Sequence, residues 1–411
     1  MKNWTKTTVG ALCARVCSGG TPKSSNPEFY AATEGIPWLN TKEIDFNRVR
    51  STEKHITEAG FNASAAKWVD VNSVIVAMYG ATAGKCCINK IPLTTNQACC
   101  NLTANPEVCD YRFLYFYLCD KYRELAALAN GGAQQNLNAQ IVKNFEIDLP
   151  PLETQRKIAE ILSALDDKIE LNRRINENLE EQAAAIFKAW FVDAPEARAW
   201  KKGTFADLIE KIVSGDWGKE TPSGNNVEMV YCIRGTDIPE ARVGNKGKMP
   251  TRYILPKNYA AKQLTDGDIV VEISGGSPTQ STGRAAVISS ALLNRYDKGM
   301  VCTNFCKALK PAPGYSMFTY YYWRYLYANN VFFAYENGTT GIKNLDITGF
   351  IETEPIVVAP RGAVARFEAL CRDYLATICA NGLKNEKLAA VRDALLPRLT
   401  SGEIDVSNVA L

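Results

Sequence analysis

The chain has 411 residues, of which 46% are hydrophobic and 22% are charged, and its formal net charge at pH 7 is +3. This ordinary globular composition excludes an intrinsically disordered protein, and apolar runs such as residues 74–78 are too short to cross a bilayer. The polar start MKNWTKTT is not a signal peptide, so the thirteen cysteines are expected to be reduced thiols of a cytoplasmic protein.

The predicted elements of the first half recur in the same order in the second half. Each half opens at a tryptophan, Trp4 or Trp200, and a short helix-like stretch then leads into SGGTP at residues 18–22 or SGDWGKETP at residues 214–222. Such an internal repeat predicts two similar domains of mixed α/β structure. The further matches are IPWLNTKEI (36–44) with VYCIRGTDI (230–238), NSVIVAMYGATAGKCCI (72–88) with GDIVVEISGGSPTQSTGRAAVI (267–288), Thr95-Asn96 with Thr303-Asn304, YRFLYFYL (111–118) with MFTYYYWRYLY (317–327), and NGGAQQNLN (130–138) with NGTTGIKNLD (337–346).

The aromatic segments of both halves have helical spacing, so we assign them to the two hydrophobic cores and not to base stacking. Asn96 and Asn304 each lie beside an apolar run, which predicts buried amides bonded to the backbone. The core aromatic residues predicted in this way are Phe113, Phe116, Tyr117, Phe318, Tyr321, Tyr322 and Tyr325.

Each half is followed by a long helix with a coiled-coil seam. Residues 152–190 contain no glycine or proline, and their predicted seam is Ile158, Leu162, Leu165, Ile169, Asn172, Asn176, Leu179, Ala183, Ile186 and Trp190. The second helix, at about residues 363–396, has the predicted seam Phe367, Leu370, Tyr374, Thr377, Asn381, Lys384, Leu388, Val391 and Leu395.

Both seams turn polar at mid-length. In an antiparallel pair, Asn172 and Asn176 would meet Thr377 and Asn381, where buried polar groups can fix the register. The alternative is one solvated turn in each helix. Two domains joined to a rigid helix pair could measure the distance between two bound sites on a duplex.

Two segments resemble the helical regions of the specificity subunits of type I restriction-modification systems. They are LPPLETQRKIAEILSALDDKIELNRRINENLEEQAAAIFKAWF from residue 149 and LAAVRDALLPRLTSGEIDV from residue 388, and the resemblance extends to the WLNTKEI and MYGATAG segments. It implies an α+β fold with two target recognition domains, at residues 1–151 and 196–360, which are separated by two long helices at residues 152–195 and 361–411. These helices would form an antiparallel coiled coil with a pseudo-two-fold repeat.

The same resemblance implies that the chain recognises a bipartite sequence in double-stranded DNA. Its partners would be two DNA methyltransferase subunits, which methylate adenine, and motor-nuclease subunits. No cofactor is expected in this chain, because S-adenosylmethionine, ATP and magnesium would be held by those partners. The small net charge agrees with weak DNA binding by the chain alone.

Motifs for catalysis are missing from the sequence itself. Pro150-Pro151 is flanked by leucines and so does not form an adenine methyltransferase motif, and GATAGKC from Gly80 lacks the spacing of a phosphate-binding loop. A single histidine and the lack of any Cys-x-x-Cys spacing argue against a metal site. Two alternatives remain open: a subunit of a type IIB-like system, and a coiled-coil assembly adaptor without DNA readout.

Polar loop residues are the candidates for DNA contact, because base edges and phosphates are bound by amides, hydroxyls and basic side chains. Each of them taken alone could equally be a solvated turn residue. The candidates of the first half are Thr21, Lys23, Thr82, Lys85, Gln134, Gln135 and Asn136, and those of the second half are Thr221, Thr282, Arg284, Thr339, Thr340, Lys343 and Asn344.

Overall fold

A computed structural model describes residues 4–129, 136–277, 279–338, 342–407 and 409. The chain divides into two compact units, unit 1 (Met1–Asp167 with Ala389–Leu411) and unit 2 (Lys168–Leu388). Each unit therefore combines one α/β portion with part of each long helix. The domain limits inferred from the sequence stay a prediction.

Unit 1 is built on two five-stranded sheets with the orders β3-β6-β4-β10-β7 and β2-β11-β8-β9-β5, and β1 pairs with β12. Its strands are β1 (Thr5–Thr8), β2 (Cys13–Ser18), β3 (Tyr30–Ala31), β4 (Ile36–Leu39), β5 (Arg48–Val49), β6 (Lys54–Ile56), β7 (Trp68–Val69), β8 (Val74–Ala77), β9 (Cys86–Asn89), β10 (Leu93–Thr95), β11 (Cys99–Ala104) and β12 (Glu146–Leu149). Its helices are α1 (Glu58–Asn62), α2 (Tyr111–Asp120), α3 (Tyr122–Ala127) and α4 (Ala139–Asn144).

Strand β8 is buried on both faces, which explains its uninterrupted apolar sequence. Val74 and Val76 pack into the core cluster that contains the aromatic residues of α2. Ile75 and Ala77, on the opposite face, pack into a separate cluster with Leu39. The strand thus joins two cores within unit 1.

The strands of unit 2 form sheets with the orders β14-β21-β17-β19, β16-β15-β20 and β18-β23-β22, and β13 pairs with β24. They are β13 (Lys201–Thr204), β14 (Ile209–Ser214), β15 (Glu228–Ile233), β16 (Thr251–Ile254), β17 (Ile269–Glu272), β18 (Ser274–Gly275), β19 (Ala285–Val287), β20 (Met300–Cys302), β21 (Cys306–Pro311), β22 (Glu336–Asn337), β23 (Lys343–Leu345) and β24 (Pro355–Val358). The helices are α6 (Ile238–Arg242), α7 (Pro256–Lys262), α8 (Ser290–Leu293), α9 (Ser316–Ala328) and α10 (Ile347–Thr353).

The two units share the strand order of their central sheets, which confirms the repeat. β2-β11-β8-β9 corresponds to β14-β21-β17-β19, and the parallel pair β4-β10 corresponds to β15-β20. In each unit a glycine packs directly against a backbone carbonyl. A Cβ atom added to Gly19 would lie 2.1 Å from the Thr95 carbonyl oxygen, and a Cβ atom added to Gly215 would lie 1.9 Å from the Thr303 carbonyl oxygen. Only glycine permits this approach, which accounts for the SGG and SGD segments.

The aromatic residues lie in the cores as predicted. Phe113, Phe116 and Tyr117 are buried in unit 1, and Phe318, Tyr321 and Tyr322 are buried in unit 2, where Tyr325 packs partly buried against the same cluster. The prediction for the two asparagines holds only in part: Asn96 is half-buried and accepts a hydrogen bond from the backbone N–H of Ala98 (3.1 Å), whereas Asn304 is exposed.

The two long helices are α5 (Leu152–Phe187), extended by a π-helical turn at Lys188–Val192, and α11 (Arg361–Thr400). Inside unit 2 they run antiparallel, because Asn172 bonds to Asn385 and Asn176 bonds to Asn381. Inside unit 1, Asp166 of α5 pairs with Arg392 of α11. The second helix continues through Pro397, beyond the predicted end.

One row of the predicted seam of α11 is displaced by a residue. The residues that turn inward are Cys371, Ile378, Asn385 and Arg392, in place of Leu370, Thr377, Lys384 and Val391. Thr377 is exposed, and its hydroxyl donates a hydrogen bond to the Asp373 carbonyl. Asn385 therefore lies opposite Asn172, at the position predicted for Thr377. At the end of α5, Phe187 and Phe191 are buried where Ile186 and Trp190 were predicted, because they follow Ala183 at steps of four residues into the core of unit 2.

Candidate nucleic-acid interface

Each unit carries a group of loops at the ends of the strands that the repeat relates. Loop cluster 1 comprises residues 21–23, 78–85, 96–97 and 136, and loop cluster 2 comprises residues 273–277, 279–284, 304–305, 336–338 and 342–344. Gln134, Gln135, Thr339 and Thr340 were predicted to contribute, but they lie outside the described residues.

The same backbone hydrogen bonds hold both clusters together. In unit 1, the N–H of Met78 donates to the Ala98 carbonyl (2.8 Å), and the N–H of Leu137 donates to the Met78 carbonyl (2.8 Å). In unit 2, the N–H of Ile273 donates to the Phe305 carbonyl (2.9 Å), and the N–H of Leu345 donates to the Ile273 carbonyl (2.8 Å). Asn136 therefore corresponds to Asn344, as the sequence repeat predicted.

The basic residue of each glycine-rich loop is also structurally equivalent. The carbonyl of Lys85 accepts from Ala77 N–H, and the carbonyl of Arg284 accepts from Glu272 N–H, both over 2.9 Å. Lys85 forms an ion pair with the exposed Asp45 (2.6 Å) and lies over the Phe46 ring. An exposed pair of this kind is weak, so the Lys85 ammonium can exchange Asp45 for a phosphate at little cost.

In loop cluster 1, Thr21 donates a hydrogen bond to the side-chain oxygen of Gln97, and both residues are exposed. Lys23 is exposed two residues further on, and Thr82 is half-buried at the end of a short 3-10 turn. Asn136 is exposed and forms a β-bridge with Tyr79. Gln97 escaped the sequence analysis, although its position directly after Thr95-Asn96 and its amide chemistry could have identified it.

Two acidic residues organise loop cluster 2. Glu272 is buried and accepts two hydrogen bonds from Arg284, over 2.7 and 2.6 Å. Glu336 accepts from the backbone and the hydroxyl of Thr282 and pairs with Lys343 (2.8 Å). Because these hydrogen bonds outweigh its partial burial, the pKa of Glu336 is lowered from its ordinary value. The two carboxylates thus fix the two segments that carry Arg284 and Lys343.

Burial removes one predicted residue from the contact surface. Thr282 is 0% exposed, and both its backbone N–H and its hydroxyl donate hydrogen bonds to Glu336. Its side chain is therefore not available to a ligand in this conformation. Its role in the structure is to anchor residues 279–284. Arg284 and Lys343 keep about a quarter of their side-chain surfaces exposed (27% and 25%).

Loop cluster 2 also exposes two large apolar side chains that the sequence analysis missed. Phe305 is 62% exposed and Ile342 is 64% exposed. Phe305 adjoins the exposed Asn304, and Ile342 adjoins the half-buried Lys343. Phe305 is the counterpart of Ala98 in unit 1, because its carbonyl accepts the equivalent backbone hydrogen bond. The signal in the sequence was the unmatched phenylalanine after the second Thr-Asn pair.

Thr221 lies apart from loop cluster 2, in a turn that Lys219 ties to Tyr253. Gly19 and Gly215 are equivalent, so Trp217, two residues after Gly215, corresponds to Thr21. The resemblance between Thr21-Pro22 and Thr221-Pro222 was therefore misleading. Trp217 stacks on the guanidinium of Arg252, 3.7 Å from the ring centre. Thr221 remains exposed, but no described contact brings it to the other predicted residues.

Neither a metal cluster nor a membrane span is found in the described part of the chain. Within residues 4–129, 136–277, 279–338 and 342–407, no three His, Cys, Asp or Glu side chains are grouped closely enough to bind a metal ion. None of the described helices has the length and apolar character needed to cross a bilayer.

Comparison with known proteins relates the chain to one group of proteins. Residues 1–181 match the family model for the type I restriction modification DNA specificity domain. The MjaIX specificity subunit of Methanocaldococcus jannaschii is 26% identical over 96% of this chain and 92% of its own length. The HindI specificity subunit of Haemophilus influenzae is 25% identical over 69% of this chain and 74% of its own length. The crystal structure of the type I S subunit from M. genitalium covers 97% of this chain and 96% of that chain, with 16% identity and a TM-score of 0.54, which shows a common fold.

Proposed function

The chain belongs to the specificity subunits of type I restriction-modification systems, and from this premise we propose that its two α/β portions read the two parts of one split DNA target. It is a non-catalytic targeting subunit, which recognises DNA sequence for the complex. The observation that carries the bipartite proposal is the repeated hydrogen-bond pattern that holds loop clusters 1 and 2 at equivalent positions.

The chemistry of the exposed loop residues supports DNA contact. Amides such as Gln97 and Asn344 can bond to base edges, and Lys85 and Lys343 can contact phosphates. Phe305 adds an apolar surface suited to the methyl group of thymine. The proposed contact residues are Thr21, Lys23, Thr82, Lys85, Gln97, Asn136, Thr221, Arg284, Phe305, Lys343 and Asn344, together with the predicted Gln134, Gln135, Thr339 and Thr340.

The chemistry that follows recognition belongs to other subunits in this proposal. Two DNA methyltransferase subunits would bind S-adenosylmethionine and methylate adenine, and motor-nuclease subunits would use ATP and magnesium. The whole assembly would act on double-stranded DNA in the cytoplasm. A chain with a net charge of only +3 would gain most of its DNA affinity inside such an assembly.

The antiparallel helix segments would set the spacing between the two half-sites. Two turns of an α-helix advance about 11 Å along its axis, close to the rise of three base pairs. Deleting two turns from each helix, in matched positions, should therefore change the spacer length and preserve both half-sites. An unchanged spacer would contradict the measuring role.

The decisive experiment maps methylated adenines in genomic DNA from cells that co-express this chain and its neighbouring methyltransferase. A control strain lacks this chain. The expected result is a split motif that appears only when the chain is present. Methylation that is absent or unchanged, although the subunits form a stable complex, would favour an assembly adaptor without DNA readout.

A domain exchange tests whether each α/β portion recognises one half of the split target. Residues 1–151 are replaced by the corresponding residues of another specificity subunit, and the methylated motif is mapped again. One half of the motif should change, while the other half stays the same. A simultaneous change of both halves would contradict independent readout by the two portions.

A further inference from the structure

Unit 2 contains a cavity of about 50 Å³ whose wall carries three arginines, Arg242, Arg284 and Arg324. Trp323 and Tyr327 form the aromatic part of the wall. A single water needs roughly 10–15 Å³ of such space, so the cavity has room for a small group of polar atoms. Its size and its guanidinium lining suit the oxygens of one phosphate.

The acidic partners do not balance these arginines. Arg284 is paired with Glu272, and Arg324 is paired with Glu180. Arg242 lies 3.8 Å from the same Glu180, which is within ion-pair distance but too long for a hydrogen bond. Three guanidiniums therefore share two carboxylates. One positive charge is left over, and the side chain of Arg242 is 45% exposed.

The cavity adjoins loop cluster 2. Gly283 and Arg284, the last residues of the glycine-rich loop, line it directly. The indole N–H of Trp323 donates to the Gly283 carbonyl (2.7 Å), and the Tyr327 hydroxyl donates to the Ser281 carbonyl (3.3 Å). The aromatic wall thus holds the loop at the edge of the cavity, and an anion inside the cavity would lie beside Gly283 and Arg284 of that loop.

We propose that this cavity binds one backbone phosphate of the DNA, and that Arg242 makes the contact with its uncompensated guanidinium. The inference rests on the proposed function and deepens it, because it assigns a phosphate contact that positions the second half-site without reading its sequence. Arg284 and Arg324 remain bound to their carboxylates and shape the site.

The test compares the parent with Arg242→Gln, using the full chain in complex with its methyltransferase subunits and a duplex that contains the mapped target. Losing one phosphate contact should weaken binding roughly tenfold. It should also reduce the slope of log affinity against log salt by about 0.9. Preference for the target over single-base variants should not change. The matched control is Arg366→Gln, which removes the same charge from an exposed position on α11.

A second measurement identifies the phosphate. Neutral methylphosphonates replace the phosphates of the second half-site one at a time. One substitution should weaken the parent roughly tenfold and leave Arg242→Gln unaffected, because two changes that remove one contact are not additive. Additive losses at every position, or an unchanged salt slope in Arg242→Gln, would overturn this inference alone. If the parent does not distinguish the mapped duplex from a scrambled one, the proposed function and this inference both fail.

Discussion

The polar layer between Asn172 and Asn385 allows a quantitative test of what holds α5 and α11 in register within unit 2. The Asn172 amide donates to the Asn385 side-chain oxygen over 2.8 Å, and the two residues are 2% and 6% exposed. Asn172→Leu leaves that buried oxygen without its donor, which should cost about 1–3 kcal/mol. Leucine at both positions removes both polar groups, so the double variant should be close to the parent in stability.

The neighbouring layer should respond differently, because it also binds backbone. The Asn176 amide donates to the carbonyls of Val243 (3.0 Å) and Ile378 (3.2 Å), and its oxygen accepts from Asn381 (2.9 Å). Replacing both Asn176 and Asn381 with leucine still leaves the Val243 carbonyl without its donor. We therefore expect this double variant to remain destabilised by about 1–3 kcal/mol.

Hydrogen exchange measured by mass spectrometry on peptides from residues 168–187 and 370–388 reads the opening free energy of these segments. Asn178→Leu, at an exposed position of the same helix, is the control. The reasoning is refuted if the Asn172/Asn385 double variant is as unstable as the single variant. It is equally refuted if the Asn176/Asn381 double variant matches the parent.

Three further predictions concern residues outside the helix pair. Phe305→Ala should leave the melting temperature unchanged, because the side chain is 62% exposed. It should also reduce the discrimination between bases within one half-site. A lower melting temperature would instead assign Phe305 to the core. Glu336→Gln places an amide against Lys343 and should speed tryptic cleavage after that lysine at pH 8, whereas an unchanged rate would show that the ion pair does not hold the loop. Burial raises the pKa of Cys100 and of Cys306 to about 12, so these thiols should react with Ellman's reagent only after denaturation, and rapid reaction in the native protein would contradict their placement.

The repeat could be predicted because its signals are local and chemically distinctive. Gly19 and Gly215 are required by the close approach of Thr95 and Thr303, and the apolar run of β8 is required by burial on both faces. The aromatic helices follow the same logic, because their spacing alone places Phe113 and Phe318 inward.

The phase of α11 could not be found by searching for apolar residues, since part of its inner face is polar. Asn385 and Arg392 turn inward because Asn172 and Asp166 are there to bind them. Val391, which a hydrophobic seam would place inside, is 48% exposed. A periodicity search favours the apolar neighbour in such a case, because it cannot know the partner on the other helix.

The same limitation explains why the candidate interface was only partly predictable. Sequence chemistry identified Arg284 and Lys343 as basic loop residues, but it could not show that Glu272 and Glu336 already hold them. Their paired state means that DNA would meet side chains whose positions are set beforehand, and each would contribute less net charge than its type suggests. The uncompensated charge lies instead on Arg242, which is remote in sequence from both loops. On the proposed function, affinity and sequence readout in unit 2 should therefore separate by mutation: substitution of Arg242 should change the salt dependence of binding, whereas substitution of Phe305 or Asn344 should change the choice of bases.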